Sequence, residues 1–475
     1  MTATLAALLA YLVLQLALGV WSSRRVSSES DYLVAGRQLG YGLAIFSTFA
    51  TWFGAETVIG AAGTTYRDGV SLASAEPFGY GLCLILMGLV FAVPLWRRGL
   101  TTLADLFRER YSVGVERVAA VILIPSSVLW AAAQVRAFGA VLATAAPTLD
   151  VPAAIGVAAG FTILYTAFGG LLADAMTDVV QGVLLIVGLA VLGGAVLGAV
   201  GGVEGVPAAL EASREARALA AAAGGVGPAP GWLEVAEAWA IPVFGSVIAT
   251  ELVGRVIATR TPTIARRSTL AAGALYVTVG MVPVFVGLVG GAVAPGLADA
   301  EQLVPAVAQR LLPTLGYALF AGALVSAILS TVDSTLLVAS GLLSHNLLVP
   351  LLRITDERHK VRVARAGVLA FGAGAYLLAL RAEGVFALVE QASALGSAGT
   401  LVCVTFALFT RLGGPRTAYA TLAAGTTSYL VGSALGVATP FLLSLASALA
   451  TYAACAALGA RRTREVAGAP ARPPA

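Results

Sequence analysis

The sequence predicts an all-α, polytopic membrane protein of about thirteen transmembrane helices, and three observations carry that expectation. Hydrophobic residues make up 59% of the 475 and charged residues only 11%, too oily a mixture for a string of soluble domains. Apolar runs of about 20 residues, the length that crosses the roughly 30 Å hydrocarbon core of a bilayer, recur from end to end. The basic residues gather on alternate connections between those runs, as the positive-inside rule requires.

The first run, MTATLAALLAYLVLQLALGVWSSRR, has no basic residue before its apolar core and two arginines after it. A secretory signal peptide has the opposite layout, so this stretch reads as a retained first helix with its N-terminus outside. Hydropathy places that helix at 3–22 and further spans at 40–66, 73–96, 116–146, 151–168, 172–200, 232–257, 267–294, 311–346, 362–381, 383–410, 416–434 and 439–460. The inner connections then receive Arg24, Arg25, Arg37, Arg97, Arg98, Arg108, Arg110 and Arg117, and later Arg260, Arg266, Arg267, Arg353, Arg358 and Lys360. The long outer segment 201–231, expected as an extracellular loop, carries only Arg214 and Arg217. An odd number of spans leaves the C-terminus cytoplasmic. Residues 1–460 are therefore expected to form one transmembrane domain in the cell (inner) membrane, in contact with the lipid bilayer, with 461–475 a disordered tail.

Several function classes fall away. The only lysine, Lys360, sits in RHKVR, so there is no GxxxxGK[ST] loop to bind ATP phosphates. His345 and His359 are the only histidines, and neither has a nucleophile or metal-ligand set beside it in the sequence. Cys83, Cys403 and Cys455 lie scattered in apolar runs and read as small packing residues. No enzyme, resident cofactor or nucleic-acid partner is expected. A channel would need an arginine ladder or a filter-like loop, and neither stands out. A non-transporting solute sensor built on the same fold stays open as an alternative; it would need an output domain or a partner, and the tail after Ala460 is short for a domain.

The chain also has an internal symmetry. Setting the first helix aside, 35–200 and 232–410 each hold five spans, and each unit opens with an interrupted one. Gly54, Gly60 and Gly63 weaken the first, and Pro242 and Gly245 the second. Because five is odd, the second unit enters the membrane inverted. Matched interrupted helices in inverted halves point to a midplane binding site. The bland alternative is that glycine, at 54 copies, serves close helix packing throughout.

Two stretches carry chemistry. In SAILSTVDSTLLVAS (326–340), Ala327, Ser330, Thr331 and Ser334 fall on one helical face, with Asp333 beside them. Hydroxyl and carboxylate oxygens suit a small hard cation, and carbonyls freed at the break near Gly54 would complete its shell. Hydroxyls bonding back to their own helix are the alternative, which leaves Asp333 without a purpose. In YTAFGGLLADAMTDVVQG (165–182), Asp174 lies near enough to the inner interface to be solvated, whereas Asp178 lies a turn deeper and reads as functional.

Together ATWFGAETVIGAAG, YTAFGGLLADAMTDVVQG, ELVGRVIATR and SAILSTVDST resemble the sodium/solute symporter family, in order over roughly residues 35–410. The resemblance implies a LeuT-like 5+5 inverted repeat with an extra N-terminal helix and two C-terminal ones. It implies a monomer that takes up a small organic solute by alternating access, with Na+ as coupling ion. Carried over by position, the sodium ligands are Ala50 and Phe53 in the interrupted helix and Ala327, Ser330 and Thr331 in the hydroxyl stripe. A second sodium, held in some members, would meet Asp178, Ser330, Asp333 and Ser334.

Within that family, ATWFGAETVIG, EPFGYGLCLILMGLVFAVPLWRRGLTTLADLF and VLWAAAQVRAFGA resemble high-affinity choline transporters. The likeness makes Trp52, Tyr80 and Trp130 three walls of an aromatic box around a quaternary ammonium, with Glu56 lining the adjoining cavity. Two positions depart from it. Ala249 stands where the box would gain an aromatic, and Arg136 lies about ten residues inside its helix. Either Glu56 or Glu251 neutralises Arg136, or Arg136 receives the carboxylate of a zwitterion or acid. Glu251 has a simpler partner too, Arg255 four residues on.

Overall fold

The computed structural model describes residues 3–23, 26–145, 149–224, 230–297, 299–382 and 384–467. These residues form mainly helices joined by turns and short connections, with one isolated parallel bridge between Leu39 and Thr259 among them. In chain order the main helices are α1 (Ala3–Ser23), α2 (Tyr41–Trp52), α3 (Glu56–Asp68), α4 (Phe78–Arg97) and α5 (Val113–Ala145). There follow α6 (Val151–Ala199), α7 (Gly202–Gly224), α8 (Trp232–Ile257), α9 (Pro262–Val293) and α10 (Thr314–Leu352). Last come α11 (Glu357–Arg381), α12 (Val385–Phe409), α13 (Pro415–Ala434) and α14 (Pro440–Ala467).

Local sequence sets several of these starts. Asp150 caps α6 by accepting from the Ala153 N–H at 2.8 Å, with Pro152 in the first turn. Thr261 caps α9 just before Pro262, and Asp356 caps α11. Within α6 the chain breaks at Gly170, whose φ of 72° is left-handed and where a Cβ would lie 2.8 Å from the Tyr32 ring. The break falls between the two spans expected at 151–168 and 172–200. At 49 residues α6 runs to about 74 Å if straight, far longer than one crossing needs.

Among the described residues, nine helices are long and apolar enough to cross a membrane, or ten if α2 and α3 form one bent span. A count of thirteen requires α6 to cross twice and adds α1 and α13, of 21 and 20 residues. Two expectations are corrected. The segment 201–231 is largely helical as α7, because its run of Ala, Glu, Arg and Leu favours helix. Residues 461–467, expected in the tail, continue α14 without a Gly or Pro among them. The remainder of that tail lies outside the described residues.

α10 is the central helix and packs on α2, α5, α6 and α11, with its residues from Phe320 to Leu337 all buried. Two helices open in mid-course: α2 gives way to α3 at Phe53–Gly54 with a bend of 55°, and α8 opens at 246–249. These are the two interruptions that the sequence marks.

Candidate ion and solute site

The break between α2 and α3 has a hydrogen-bonding cause. In a continuous helix the N–H groups of Gly54 and Ala55 would donate to the carbonyls of Ala50 and Thr51. Here Gly54 N–H donates to Glu56 Oε1 at 3.3 Å and Ala55 N–H to Gln134 Oε1 at 3.0 Å. Gln134 Nε2 in turn donates to Glu56 Oε2 at 2.8 Å, so Glu56 and Gln134 cap the opened turn together. A Cβ at Gly54 would come within 2.9 Å of both Gln134 Nε2 and Glu56 Oε1, so a side chain there would displace this cap. Glu56 is thus occupied by backbone and Gln134 rather than lining the cavity as expected. Among the described residues it has no ion-pair partner, so of the alternatives left open for Arg136 the pairing with Glu56 is not formed.

The hydroxyl stripe of α10 faces this break. Thr331 Oγ1 lies 3.0 Å from the Thr51 carbonyl oxygen and 3.1 Å from that of Ala327. Thr51 Oγ1 lies 3.2 Å from Ser334 Oγ. Ala50, Phe53, Ala327, Ser330 and Thr331 are all buried. Segments some 280 residues apart in sequence therefore bring carbonyl and hydroxyl oxygens to one place.

Beyond the stripe lies a buried charge cluster. Arg255 of α8 donates through Nη2 to Asp174 and to Ser334, and Nη2 lies 3.6 Å from Asp178. Asp178 also accepts from Ser330 and, at 2.6 Å, from Ser47. Asp333 points aside, taking the Thr166 hydroxyl at 2.6 Å. Asp174 is therefore buried and paired, not solvated at an interface. Arg255 takes the aspartates rather than Glu251, which accepts from Ser127 instead. Asp174 Oδ1 and Asp333 Oδ2 have no hydrogen-bond partner, and both residues line a void of about 10 Å³.

The aromatic set assembles on the other side of the break. The Trp52 and Trp130 rings lie 5.5 Å apart, Tyr80 and Trp130 6.1 Å, and Trp52 and Tyr80 6.3 Å. Tyr276 of α9 adds a fourth ring, 6.5 Å from Tyr80, and meets the Thr57 hydroxyl. Tyr80 lines a cavity of about 710 Å³ together with Glu76, Ile241, Pro242 and Phe386. Ala249 stands at the opening of α8, where its N–H bonds the Ser246 carbonyl at 2.9 Å and it adds no ring. Arg136 donates to the Ala379 carbonyl at 3.3 Å and lines an adjoining cavity, of about 690 Å³, which shares Thr64, Arg67, Arg217 and Phe386 with the first.

The family model described as SSF, sodium:solute symporter family, matches residues 32–425. The chain belongs to the sodium:solute symporter family. High-affinity choline transporter 1 of Caenorhabditis elegans is 26% identical, over 80% of this chain and 69% of that protein. The sodium/pantothenate symporter of Escherichia coli (strain K12) is 26% identical, over 78% and 77%. A solved structure of a Na+-coupled sialic acid symporter superposes with a TM-score of 0.82 at 17% identity, covering 96% of this chain and 98% of that one. That likeness shows the fold, which is LeuT-like.

In this symporter family member, among the described residues, no group of three or more His, Cys, Asp or Glu has the arrangement to hold a metal ion. Sodium, as cargo, asks for something different, neutral carbonyl and hydroxyl oxygens, and those are what the break and the stripe bring together. The sequence reading missed the roles of four residues. Gln134 hides inside WAAAQVRAFGA, where Arg136 drew attention. Arg255 passed as a surface partner for Glu251, although an arginine in the middle of an interrupted span was itself a signal. Tyr276 and Glu76 gave no signal beyond their side-chain type.

Proposed function

We propose that this symporter carries a small organic cation across the cell membrane together with sodium, by alternating access. Sodium is held by the carbonyls of Ala50, Phe53 and Ala327 and the hydroxyls of Ser330 and Thr331. The carrying observation is the 3.0 Å approach of Thr331 Oγ1 to the opened turn at Thr51. Trp52, Tyr80 and Trp130 take the cation, each ring face contributing about 0.5–2 kcal/mol. Trp52 lies between Ala50 and Phe53 in the same opened turn, so ordering that turn around sodium also sets one wall of the solute site. That shared segment is the coupling, a population shift driven by sodium's preference for one state. Each sodium moving inward down 100 mV adds about 2.3 kcal/mol to its concentration gradient.

The reading extends to thirteen spans, with inverted units at 35–200 and 232–410, the N-terminus outside, the C-terminus cytoplasmic and a monomer as the working form. The placement of Arg136 in the second cavity, apart from the aromatic set, favours a cation over an acid held by that arginine. A second sodium is read between Asp174 and Asp333. Asp174 Oδ1 and Asp333 Oδ2 lack hydrogen-bond partners beside the small void, and the set carried over from the resemblance, Asp178, Ser330, Asp333 and Ser334, already has Arg255 against Asp178 and Ser334.

Proteoliposomes with an inward sodium gradient should accumulate organic cations, and potassium should not replace sodium. Ser330→Ala combined with Thr331→Ala should raise the sodium needed for half-maximal uptake by roughly tenfold or more, with expression and melting little changed. An unaltered sodium requirement in that variant rules the ligand set out.

A further inference from the structure

We infer that Glu76 is the residue that selects the solute's charge and hydrogen bonding, so that the site takes a protonated amine carrying N–H groups in preference to a quaternary ammonium. The inference rests on the reading of the aromatic set as the solute site and adds the counter-charge that this reading lacks.

Glu76 stands two residues before the start of α4, four residues before Tyr80, and lines the cavity of about 710 Å³ with it. Its Oε2 accepts from the Tyr276 hydroxyl at 3.3 Å, which ties the carboxylate to the aromatic set. Its Oε1 is buried and has no hydrogen-bond partner, and among the described residues no basic side chain lies within ion-pair range. The neighbouring carboxylate differs. Both Glu56 oxygens already have a donor, Gly54 N–H on Oε1 and Gln134 Nε2 on Oε2.

A buried carboxylate oxygen without a donor is costly unless a ligand completes it. An organic cation in the aromatic set brings the charge, but only an N–H bond brings the missing donor. A quaternary ammonium satisfies the rings and the charge and leaves Oε1 unpaired. A protonated amine satisfies all three. The indole N–H groups of Trp52 and Trp130 are also buried without partners, so a ligand that carries a hydroxyl arm has donors to meet as well.

The test is a ligand series with a constant hydroxyethyl arm: ethanolamine, its N-methyl and N,N-dimethyl derivatives, and choline, which carries no N–H. Binding to the purified full chain in saturating sodium is followed by thermal shift, with sodium alone as the control. We expect the first three to bind and choline to bind roughly 10- to 100-fold more weakly than the dimethyl compound. In Glu76→Gln the amines should weaken and that last step should shrink to a few-fold or less, while the shift caused by sodium alone stays as in the unaltered protein. Choline binding as tightly as the amines, or an unchanged series in Glu76→Gln, overturns the inference. So does a sodium shift with no amine binding, which leaves the sodium site standing. Absence of any sodium shift removes the underlying reading instead. The unaltered protein's own series decides the matter even if Glu76→Gln does not fold.

Discussion

The two halves of the molecule are built differently. On the side where most of the arginines lie, which we place inside, polar ties cross between elements. His345 lies 3.2 Å from Glu29 and 3.3 Å from Asp105, and Asn346 donates to Asp105 at 3.0 Å and Glu116 at 2.8 Å. Trp96 donates to the Thr259 carbonyl at 2.8 Å, and Leu39 exchanges bonds of 3.1 Å with Ala258 and Arg260. The voids beneath them, lined by Asp333 and Leu337 among others, measure about 10 and 20 Å³. Toward the other side lie cavities of about 710 and 690 Å³. One half has room for a water or an ion, and the other has room for an organic solute. The difference teaches that the arginine-rich half is closed and the other half open, with Tyr80 of the aromatic set in the wall of the larger open cavity.

The comparison breaks most severely at Asp105. This buried carboxylate of the short helix Ala104–Arg110 takes N–H bonds from Thr101 at 2.8 Å and Thr102 at 3.0 Å, besides Asn346, His345 and Arg108. Asp105→Ala takes the acceptor from the amides of Thr101 and Thr102 and one carboxylate from His345, Asn346 and Arg108, which should cost about 3 kcal/mol of stability. Uptake should drop at least about tenfold. Labelling of Leu337→Cys from the inner side, with Cys83, Cys403 and Cys455 replaced, should rise several-fold; unchanged labelling means the seal lies elsewhere. Burial pushes the Asp105 carboxyl up, but hydrogen bonding and charge from His345, with the amides of Thr102 and Thr101, hold it below its usual range. A depressed carboxyl contributes stability that is complete above about pH 4 and is lost as pH falls through its folded value. Melting measured across acid pH should therefore lose part of its acid sensitivity in Asp105→Asn.

How much of this was legible follows the physics of each signal. Apolar runs report the bilayer directly, so the spans, the break at Gly54 and the break after Pro242 could be read from composition and breakers. The hydroxyl stripe was legible because a helix puts Ala327, Ser330, Thr331 and Ser334 on one face whatever surrounds them. What surrounds a helix was not legible. Glu56 carries the same carboxylate whether it lines a cavity or caps a turn, and only the position of Gln134, 78 residues on, decides between them. Arg255 likewise sits four residues from Glu251 yet crosses to Asp174, 81 residues away, because two carboxylates there outweigh one.

Asp333 sharpens the comparison at an intermediate scale, since it lines the small void of the closed half. Asp333→Asn keeps the shape and the bond to Thr166 while removing charge from the position read as the second sodium site. Uptake by the unaltered protein should depend on sodium sigmoidally. In Asp333→Asn the curve should turn hyperbolic, with half-saturation raised roughly tenfold. A curve that stays sigmoidal puts any second ion elsewhere.

The smallest effect belongs to Arg136, in the wall of the second open cavity. Charges facing an open, water-filled space are screened within about 8–10 Å at physiological ionic strength. The Arg136 head group reaches the Ala379 carbonyl of α11, whereas Trp130, almost two turns back along α5, stacks in the aromatic set. Arg136→Gln should therefore change the half-saturating concentration of a transported amine by no more than about threefold, and leave the sodium requirement unchanged. A large loss, with carboxylates or zwitterions as the better solutes in the unaltered protein, reverses the assignment. The solute would then be anchored in the 690 Å³ cavity rather than at the aromatic set.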